Sequence, residues 1–491
     1  MHNSAPVVEE ANVALLSALG QPRTVLDVGC GMGLNGVAAV AVGASVVGIE
    51  KDGPRAERAR RLLGEVIELD PSDYVGVSES LRGRKFDLIL FADVLEYAPD
   101  PATFLRKYIE YLEPEGRVIV SLRNRTAWNV LLKLTSAELG YRDGERGTLF
   151  SRAQATDLIR SVGLEILRVD HNPMMARAIR PLVVEGGWVL PPPAHETPSA
   201  YRDLPVYHAY RTFVRPWEDR LAQVAPELLS YQHVVVARRP IEPRPLSLTV
   251  GMLTMDEEES IERMMTEIRR VAPDARILCV DSSMKDQTPF IAERMGARVV
   301  RQLPPRGHGP AMEVLMYEAS KESEALIYLD CDFTYPPDVI PSIRKILESG
   351  VDVVNAARTR TRPEAMPLPN YLANKSFALL AQATAGAKVA DLHSGMRGYR
   401  SSVIRAFSFD GEGDAIPIDT LLWPAKCGYR VVEVPIDYQE RVGFSKLRKL
   451  AGTVWTFIRL AKTLNVGERG GGHYEVWDKL DDAAKSLARD E

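Results

Sequence analysis

The sequence predicts an α/β chain of two doubly wound domains, and three observations carry that expectation. Short apolar or β-branched runs alternate with amphipathic stretches in two separate blocks, the pattern of mainly parallel strands with helices on both faces. A short proline-rich stretch, Ile241-Glu-Pro-Arg-Pro245, lies between the blocks and reads as a semi-rigid linker. The 491 residues are enough for two to four domains at roughly 100–200 residues each. The expected division is therefore residues 1–240 and residues 241–491.

In the first block the strands are Thr24–Val28, Ser45–Ile49, Glu65–Leu69, Phe86–Phe91 and Arg117–Leu122. Helical patterns at Pro54–Leu63 and Ala102–Leu112 connect them, and an apolar run at Val234–Ala237 closes the block. The region near 171–230, with its Pro191-Pro-Pro193 run, reads as an insertion or lid. In the second block the strands are Leu246–Leu253, Ala275–Val280, Ala297–Val300, Ala325–Leu329 and Asp352–Asn355.

Composition excludes several functions. Lys and Arg number 61 against 66 Asp and Glu, a net charge of −5. That is no footprint for nucleic acid, which asks for a basic domain. The four cysteines, Cys30, Cys279, Cys331 and Cys427, form no C-x-x-C pair, which argues against a zinc site or a disulfide framework. No basic-then-apolar leader opens the chain, and no run reaches the ~20 apolar residues of a membrane span. A cytoplasmic location follows as the expectation. The basic amphipathic stretch Lys446–Lys462 adds the expectation of peripheral membrane contact.

The first chemical signature is Val25-Leu-Asp-Val-Gly-Cys-Gly-Met-Gly33, a strand running into a glycine-rich turn and then a helix. Glycine lets the backbone turn sharply and approach a ligand closely, and the helix start beyond offers free N–H groups. Glu50 ends the next strand, where an acid can hold the two hydroxyls of a ribose. With Asp27, Gly29, Gly31, Gly33 and Glu50 in place, the stretch resembles motif I of the class I methyltransferases. Asp70, Asp93 within Phe86-Asp-Leu-Ile-Leu-Phe-Ala-Asp-Val-Leu-Glu-Tyr97, and Glu113-Pro-Glu-Gly116 continue the resemblance over roughly residues 20–170. It implies a Rossmann-like domain that binds S-adenosylmethionine through Asp27, Gly29, Gly31, Gly33, Glu50, Asp70 and Asp93. Tyr97 stands where many relatives carry histidine, the usual base near neutral pH. His171, His195 and His208 are candidate substitutes by position, and Asn124 and Trp128 are candidates for the acceptor pocket.

The second signature centres on Tyr328-Leu-Asp-Cys-Asp-Phe333. Two carboxylates at a strand end, Asp330 and Asp332, are hard oxygen ligands suited to Mg²⁺ or Mn²⁺ bridging a diphosphate. Such an ion offsets charge growing on a leaving nucleotide diphosphate. Around this pair stand Asp256-Glu-Glu258, Val280-Asp-Ser-Ser-Met-Lys-Asp-Gln-Thr288, Arg306-Gly-His-Gly309, Asp352-Val-Val-Asn-Ala-Ala-Arg358 and Asp391-Leu-His-Ser-Gly-Met-Arg397. Gly428-Tyr-Arg-Val-Val-Glu-Val-Pro435 and Glu440-Arg-Val-Gly-Phe-Ser-Lys446 follow them. Together they resemble the family-2 glycosyltransferases of GT-A fold, and most closely the polyprenyl-phosphate sugar synthases. Ser282 and Ser283 depart from the family's second acid and glycine, and His308 from its lysine. The resemblance implies a UDP- or GDP-linked sugar held by Glu257, Asp281, Asp330, Arg358, Arg397, Arg441 and Lys446. It also implies a metal on Asp330 and Asp332, and a glycan, lipid-phosphate or small-molecule acceptor. Asp419 is the candidate catalytic acid alongside Asp332: a hydroxyl acceptor needs a base, whereas a phosphate acceptor needs none.

The expected function is a bifunctional transferase moving a methyl group and a sugar, with no nucleic-acid partner. The alternative is a glycosyltransferase whose first half is a non-catalytic scaffold.

Overall fold

The computed structural model describes residues 12–127 (17 aside), 148–173, 217, 225–358, 366, 368–407 (386 and 387 aside), 409, 411, 416–437 and 454–460. The chain divides into two compact units, with the break between Pro240 and Ile241.

The first unit is built on a seven-stranded sheet. Its strands are β1 (Thr24–Val28), β2 (Ser45–Glu50), β3 (Gly64–Glu68), β4 (Phe86–Ala92), β5 (Leu112–Arg123), β6 (Glu165–Pro173) and β7 (Ser230–Arg238). The order is β3-β2-β1-β4-β5-β7-β6. All neighbours are parallel except β7, which runs antiparallel to both β5 and β6. The central strands are buried end to end: Val25–Val28 and Leu88–Phe91 lie under helices on both faces, which is why they read as continuous apolar runs rather than alternating ones. One side of the sheet packs Phe91, Phe104 and Tyr108 edge-on or tilted, with ring centroids 5.0–6.1 Å apart. Asp52 and Asp100 cap the helices Gly53–Leu63 and Pro101–Ile109 by accepting backbone N–H groups, and each helix carries a proline in its first turn, where a missing N–H costs nothing.

The second unit has its own seven-stranded sheet: β8 (Leu248–Thr254), β9 (Arg276–Asp281), β10 (Arg298–Arg301), β11 (Ala325–Leu329), β12 (Val353–Ala357), β13 (Met396–Arg400) and β14 (Val431–Pro435). The order is β10-β9-β8-β11-β13-β12-β14. Only β13 is antiparallel to its neighbours, β11 and β12. Its core gathers Val250, Ile261, Met265, Ile268, Ile327, Ile343 and Leu347.

One sequence expectation changes here. Residues 171–173 belong to β6, and Pro226–Leu229 forms a short helix before β7, so regular structure covers both ends of the stretch read as a lid. The register of β6 on β7, with Asp170 opposite Val234 and His171 opposite His233, supplies the hydrogen bonds that fix it. The Pro191-Pro-Pro193 run, with His195 and His208, lies outside the described residues.

Candidate active sites

In the first unit the predicted cofactor residues converge. Asp27 lies near the end of β1 and the glycine turn follows that strand, Glu50 ends β2, Asp70 follows β3 and Asp93 follows β4. All lie at the carboxyl ends of parallel strands, around the β1–β4 point where strand order reverses, the place where open α/β sheets take ligands. The turn is held tightly. Cys30 N–H donates to Ile49 O (3.0 Å), and Gly31 N–H donates to Glu50 Oε2 (2.9 Å). Asp52 N–H donates to Glu50 Oε1 (2.9 Å). Gly29, Gly31 and Gly33 take φ of +69°, +57° and +87°, and a Cβ at Gly29 would come 2.9 Å from Val94 Cγ2. That cradle, with the buried carboxylates of Asp27 and Glu50 behind it, fits the sugar and amino-acid ends of S-adenosylmethionine. Asp70 is half-exposed; its Oδ1 accepts Ser72 N–H (2.8 Å), and Lys51 Nζ lies 3.8 Å from its Oδ2.

Asp93 sits at φ +56° inside a polar network the sequence reading missed. Gln232 Nε2 donates to both its oxygens (2.5 and 2.6 Å), and Ser121 Oγ donates to Oδ1 (2.8 Å). Gln232 Oε1 in turn accepts from Asn12 (3.2 Å) and Asn172 (2.9 Å). Asn12 N–H reaches Asn35 Oδ1 (2.9 Å), at the start of the helix after the glycine turn. No motif marks these amides, which come from four separate segments at Asn12, Asn35, Asn172 and Gln232.

The residues proposed around the methyl acceptor move. Asn124 is buried, and its amide donates to the carbonyls of Glu227 (2.7 Å) and Ser230 (2.8 Å); it holds a turn. Trp128 lies outside the described residues. His171 sits on the β-sheet with its Nδ1 3.2 Å from Nδ1 of His233. Burial, then the neighbouring His171, pushes His233 down to about 3, so that ring is neutral. Tyr97 is half-exposed, its hydroxyl accepting from Arg123 Nη2 (3.0 Å). Beside it Glu96 is buried. Its Oε1 accepts Arg123 N–H (2.8 Å), and its Oε2 has no hydrogen-bond partner among the described residues. Burial, then the charge of Asp93, pushes Glu96 up to about 8.

In the second unit the ends of β8, β9 and β11 bring together Glu257, Asp281, Asp330 and Asp332. The first two loops are stitched to each other. Asp256 Oδ1 accepts the N–H groups of Met284 and Lys285 (both 3.2 Å), Asp286 Oδ2 accepts Glu258 N–H (3.0 Å), and Glu257 N–H donates to Thr288 Oγ1 (2.8 Å). Asp281 is fully buried within them. It accepts from Thr254 Oγ1 (2.7 Å), Ser283 Oγ (2.7 Å) and Ser283 N–H (3.1 Å), with Arg301 Nε at 3.3 Å. Its carboxylate is the knot of the loop.

Asp330 N–H donates to Gly395 O (3.2 Å), and a Cβ on Gly395 would fall 2.1 Å from Asp330 Oδ2; only glycine leaves that carboxylate its place. Asp332 Oδ1 accepts Thr334 N–H (3.1 Å) and Thr334 Oγ1 (2.5 Å). Among the described residues, no group of three or more His, Cys, Asp or Glu side chains could hold a metal ion. A two-carboxylate strand end fits an ion that completes its shell with substrate phosphates, as Mg²⁺ commonly does.

Three arginines were expected at the nucleotide sugar, with Lys446. Arg358 instead grips Asp391: its Nε (2.7 Å), Nη2 (2.9 Å) and backbone N–H (3.0 Å) all donate to that buried carboxylate, and Nη2 also reaches His393 O (2.8 Å). Burial alone would raise Asp391, but the Arg358 charge holds it below the usual carboxylate range. Arg397 is fully buried. It donates to Asn355 Oδ1 (2.6 Å), Leu392 O (2.6 Å), Thr420 Oγ1 (3.3 Å) and Pro417 O. A guanidinium so enclosed braces the Ile416–Lys426 helix rather than a diphosphate. Arg441 and Lys446 lie outside the described residues. Asp419, on that helix, is buried and paired with the buried guanidinium of Arg459.

Residues 7–169 match the family model described as a methyltransferase domain, and residues 249–407 match glycosyl transferase family 2. A dolichyl-phosphate hexose transferase of Haloferax volcanii is 38% identical over 206 residues, which are 42% of this chain and 88% of that protein. The chain belongs to glycosyl transferase family 2, and its first unit is a methyltransferase domain. Ubiquinone biosynthesis O-methyltransferases resemble that first unit. The one from Chelativorans sp. is 35% identical over 25% of this chain and 49% of its own length. The one from Thiobacillus denitrificans is 30% identical over 31% of this chain and 70% of its own. The chain thus spans about half of the first of these and over two thirds of the second.

Within this two-domain transferase, the family-2 unit owes its loop order to residues outside the Asp330–Asp332 pair. Glu433, in the Val-Val-Glu-Val-Pro run, accepts from Asn355 Nδ2 (2.8 Å) and Ala390 N–H (2.8 Å) and so seats the Asp391 turn. His393 bridges Asn374 (3.0 Å) and Thr456 (2.9 Å), and burial pushes it down to about 4.

Proposed function

We propose that this chain carries out two group transfers. The first unit transfers a methyl group from S-adenosylmethionine to a hydroxyl of a sugar or acceptor. The second transfers a sugar from a UDP- or GDP-linked donor to a lipid phosphate of the polyprenyl class. The observation that carries the acceptor assignment is the buried pairing of Asp419 with Arg459. A carboxylate neutralised by a guanidinium is a poor general base. A hydroxyl acceptor needs such a base, and a phosphate monoester oxygen does not. The name of the Haloferax relative, dolichyl-phosphate hexose transferase, supports the same acceptor.

The sugar step then balances without proton abstraction. An acceptor phosphate oxygen attacks the anomeric carbon, the bond from that carbon to the diphosphate oxygen breaks, and its electron pair leaves with the nucleoside diphosphate. Asp330 and Asp332 are the residues that would hold Mg²⁺ or Mn²⁺. When bound, the ion offsets charge on the departing diphosphate. In the first unit Asp27, Glu50 and the Gly29–Gly33 turn hold the cofactor, and Asp93, fixed by Gln232 and Ser121, faces the same end of the sheet.

Parallel assays test this reading. With purified chain, labelled nucleotide sugars and a short-chain prenyl phosphate, Asp330→Ala is expected to abolish sugar transfer while leaving S-adenosylmethionine binding intact. Glu50→Ala is expected to do the reverse. A wild-type chain that glycosylates only neutral hydroxyl acceptors would overturn the phosphate assignment.

A further inference from the structure

The second unit carries a buried polar pair, Ser282 and Gln302, whose bonding is incomplete. It stands where three parallel strands end in register: Thr254 of β8 lies beside Asp281 of β9, and Asp281 beside Arg301 of β10. The ladder runs one residue further, with Ser282 N–H donating to Thr254 O (2.9 Å) and Gln302 N–H to Asp281 O (2.8 Å). Met255, Ser282 and Gln302 therefore form a row at the carboxyl end of the sheet, where open α/β folds take ligands. In the order β10-β9-β8-β11, the row starts one strand from the end of β11, where Asp330 and Asp332 lie. β9 and β10 are two and three strands away, roughly 10–14 Å at about 4.8 Å per strand. A nucleoside whose diphosphate is held at those two aspartates reaches that far.

Gln302 is only 8% exposed, and its amide is half used. Its Oε1 accepts from Ser282 Oγ over a long 3.4 Å, while Nε2 has no hydrogen-bond partner among the described residues. A buried N–H left unmet is destabilising and asks for an acceptor. Asp281 is the opposite case. A carboxylate offers about four lone-pair sites, and Thr254 Oγ1, Ser283 Oγ, Ser283 N–H and Arg301 Nε surround this one. Asp256 and Asp286 in the same loops also accept backbone N–H groups, from Met284, Lys285, Glu258 and Thr288. The row thus presents an amide edge, an N–H donor beside a carbonyl, and the carboxylate next to it is full.

That edge discriminates between bases. Uracil sets a carbonyl beside its N3–H, so Gln302 Nε2 can donate to the carbonyl while Oε1 accepts from N3. Guanine offers the same pair at O6 and N1, then adds an exocyclic amine that needs a further acceptor. Asp281 has no lone pair to give it. Burying that amine unmet lowers affinity by about tenfold or more. Met255, Met284 and Leu303 on the same three loops are 42%, 70% and 53% exposed. They add soft apolar surface of the kind a flat ring packs against.

We propose that Gln302, with Ser282, reads the nucleobase of the sugar donor and selects uracil, so that the donor is a UDP-linked sugar. The proposal rests on the sugar-transfer reading and narrows its donor.

Calorimetry of the full chain with UDP, GDP or pyrophosphate, each with Mn²⁺, tests it. UDP is expected to bind at least about tenfold more tightly than GDP. Gln302→Leu keeps the bulk of the side chain and removes the amide. It is expected to weaken UDP by about tenfold or more and to leave pyrophosphate binding as in the wild type, which shows that the fold and the diphosphate end survive. Gln302→Glu keeps the shape and exchanges the donor for an acceptor, so the preference for UDP over GDP should shrink by about tenfold or more. GDP binding as tight as UDP, or an unchanged preference in Gln302→Glu, overturns the proposal and keeps the sugar-transfer reading. Parallel loss of UDP and pyrophosphate in Gln302→Leu overturns it too, since Gln302 would then brace the loop rather than read the base. Failure of both nucleotides to bind in the presence of Mn²⁺ discards the sugar-transfer reading, and this proposal with it.

Discussion

Burial decides what individual side chains can do in both sites, and Glu96 shows it most sharply. It follows Asp93 by three residues, loses nearly all its water, and keeps one backbone N–H as partner. Its pKa therefore rises from 4.5 to about 8, and the folded chain holds the proton at neutral pH. The sign follows from linkage: a carboxyl with a raised folded pKa leaves stability intact below the unfolded value and erodes it as pH rises through the folded one. Thermal unfolding of the first unit should therefore weaken between pH 4.5 and about 8, and Glu96→Gln should flatten that slope. A wild-type slope surviving in the variant would refute the assignment. The same principle limits what residue types announce. Arg358 and Arg397 are residues that motif reading sends to the nucleotide sugar, yet one clamps Asp391 and the other braces a helix. A guanidinium fork matches a carboxylate and a phosphate equally well, so sequence alone cannot say which it meets. The glycines were more legible, because φ near +69° at Gly29 and the contact with Val94 leave room for nothing else.

At the scale of elements, every strand expected from an apolar run is present, from Thr24–Val28 to β12. Most of those runs, such as β1, β4, β11 and β12, are buried on both faces, which is what periodicity reads best. The omissions have separate causes. β6 is an edge strand whose Arg168, Asp170 and His171 dilute its apolar signal, while β13 and β14 lie inside motifs that chemistry had already claimed. The network Asn12–Gln232–Asp93 and the bridge Asn374–His393–Thr456 were invisible because their members are hundreds or dozens of residues apart. That second bridge makes a prediction. His393 joins the Leu368–Ala385 helix to the 454–460 segment with both ring nitrogens, and burial lowers its pKa from 6.5 to about 4. A histidine buried neutral gives full stability above its unfolded value and loses it as pH falls toward the folded one. Denaturant unfolding of the second unit should lose on the order of 3 kcal/mol between pH 6.5 and about 4. His393→Gln should remove most of that slope, and an unchanged slope would place the titration elsewhere.

Over the whole molecule, two units each close a core of their own, one around Phe91, Phe104 and Tyr108 and one around Val250, Ile327 and Leu347. Each sheet also presents its acids at the carboxyl ends of its own parallel strands, Asp27 and Glu50 in one, Asp330 and Asp332 in the other. A ligand that binds only the native form of one unit stabilises that unit by mass action, by about 2.7 kcal/mol at a hundred times its dissociation constant. S-adenosylmethionine should therefore raise the unfolding midpoint of the first unit and leave the second in place. A nucleotide sugar with Mn²⁺ should do the opposite, and Asp330→Ala should erase only that second shift. Calorimetric scans of the full chain read both midpoints at once. Displacement of both by S-adenosylmethionine alone would mean that the two transfers share one cooperative body, and a missing first shift would leave the methyltransferase unit as a scaffold for the sugar transfer.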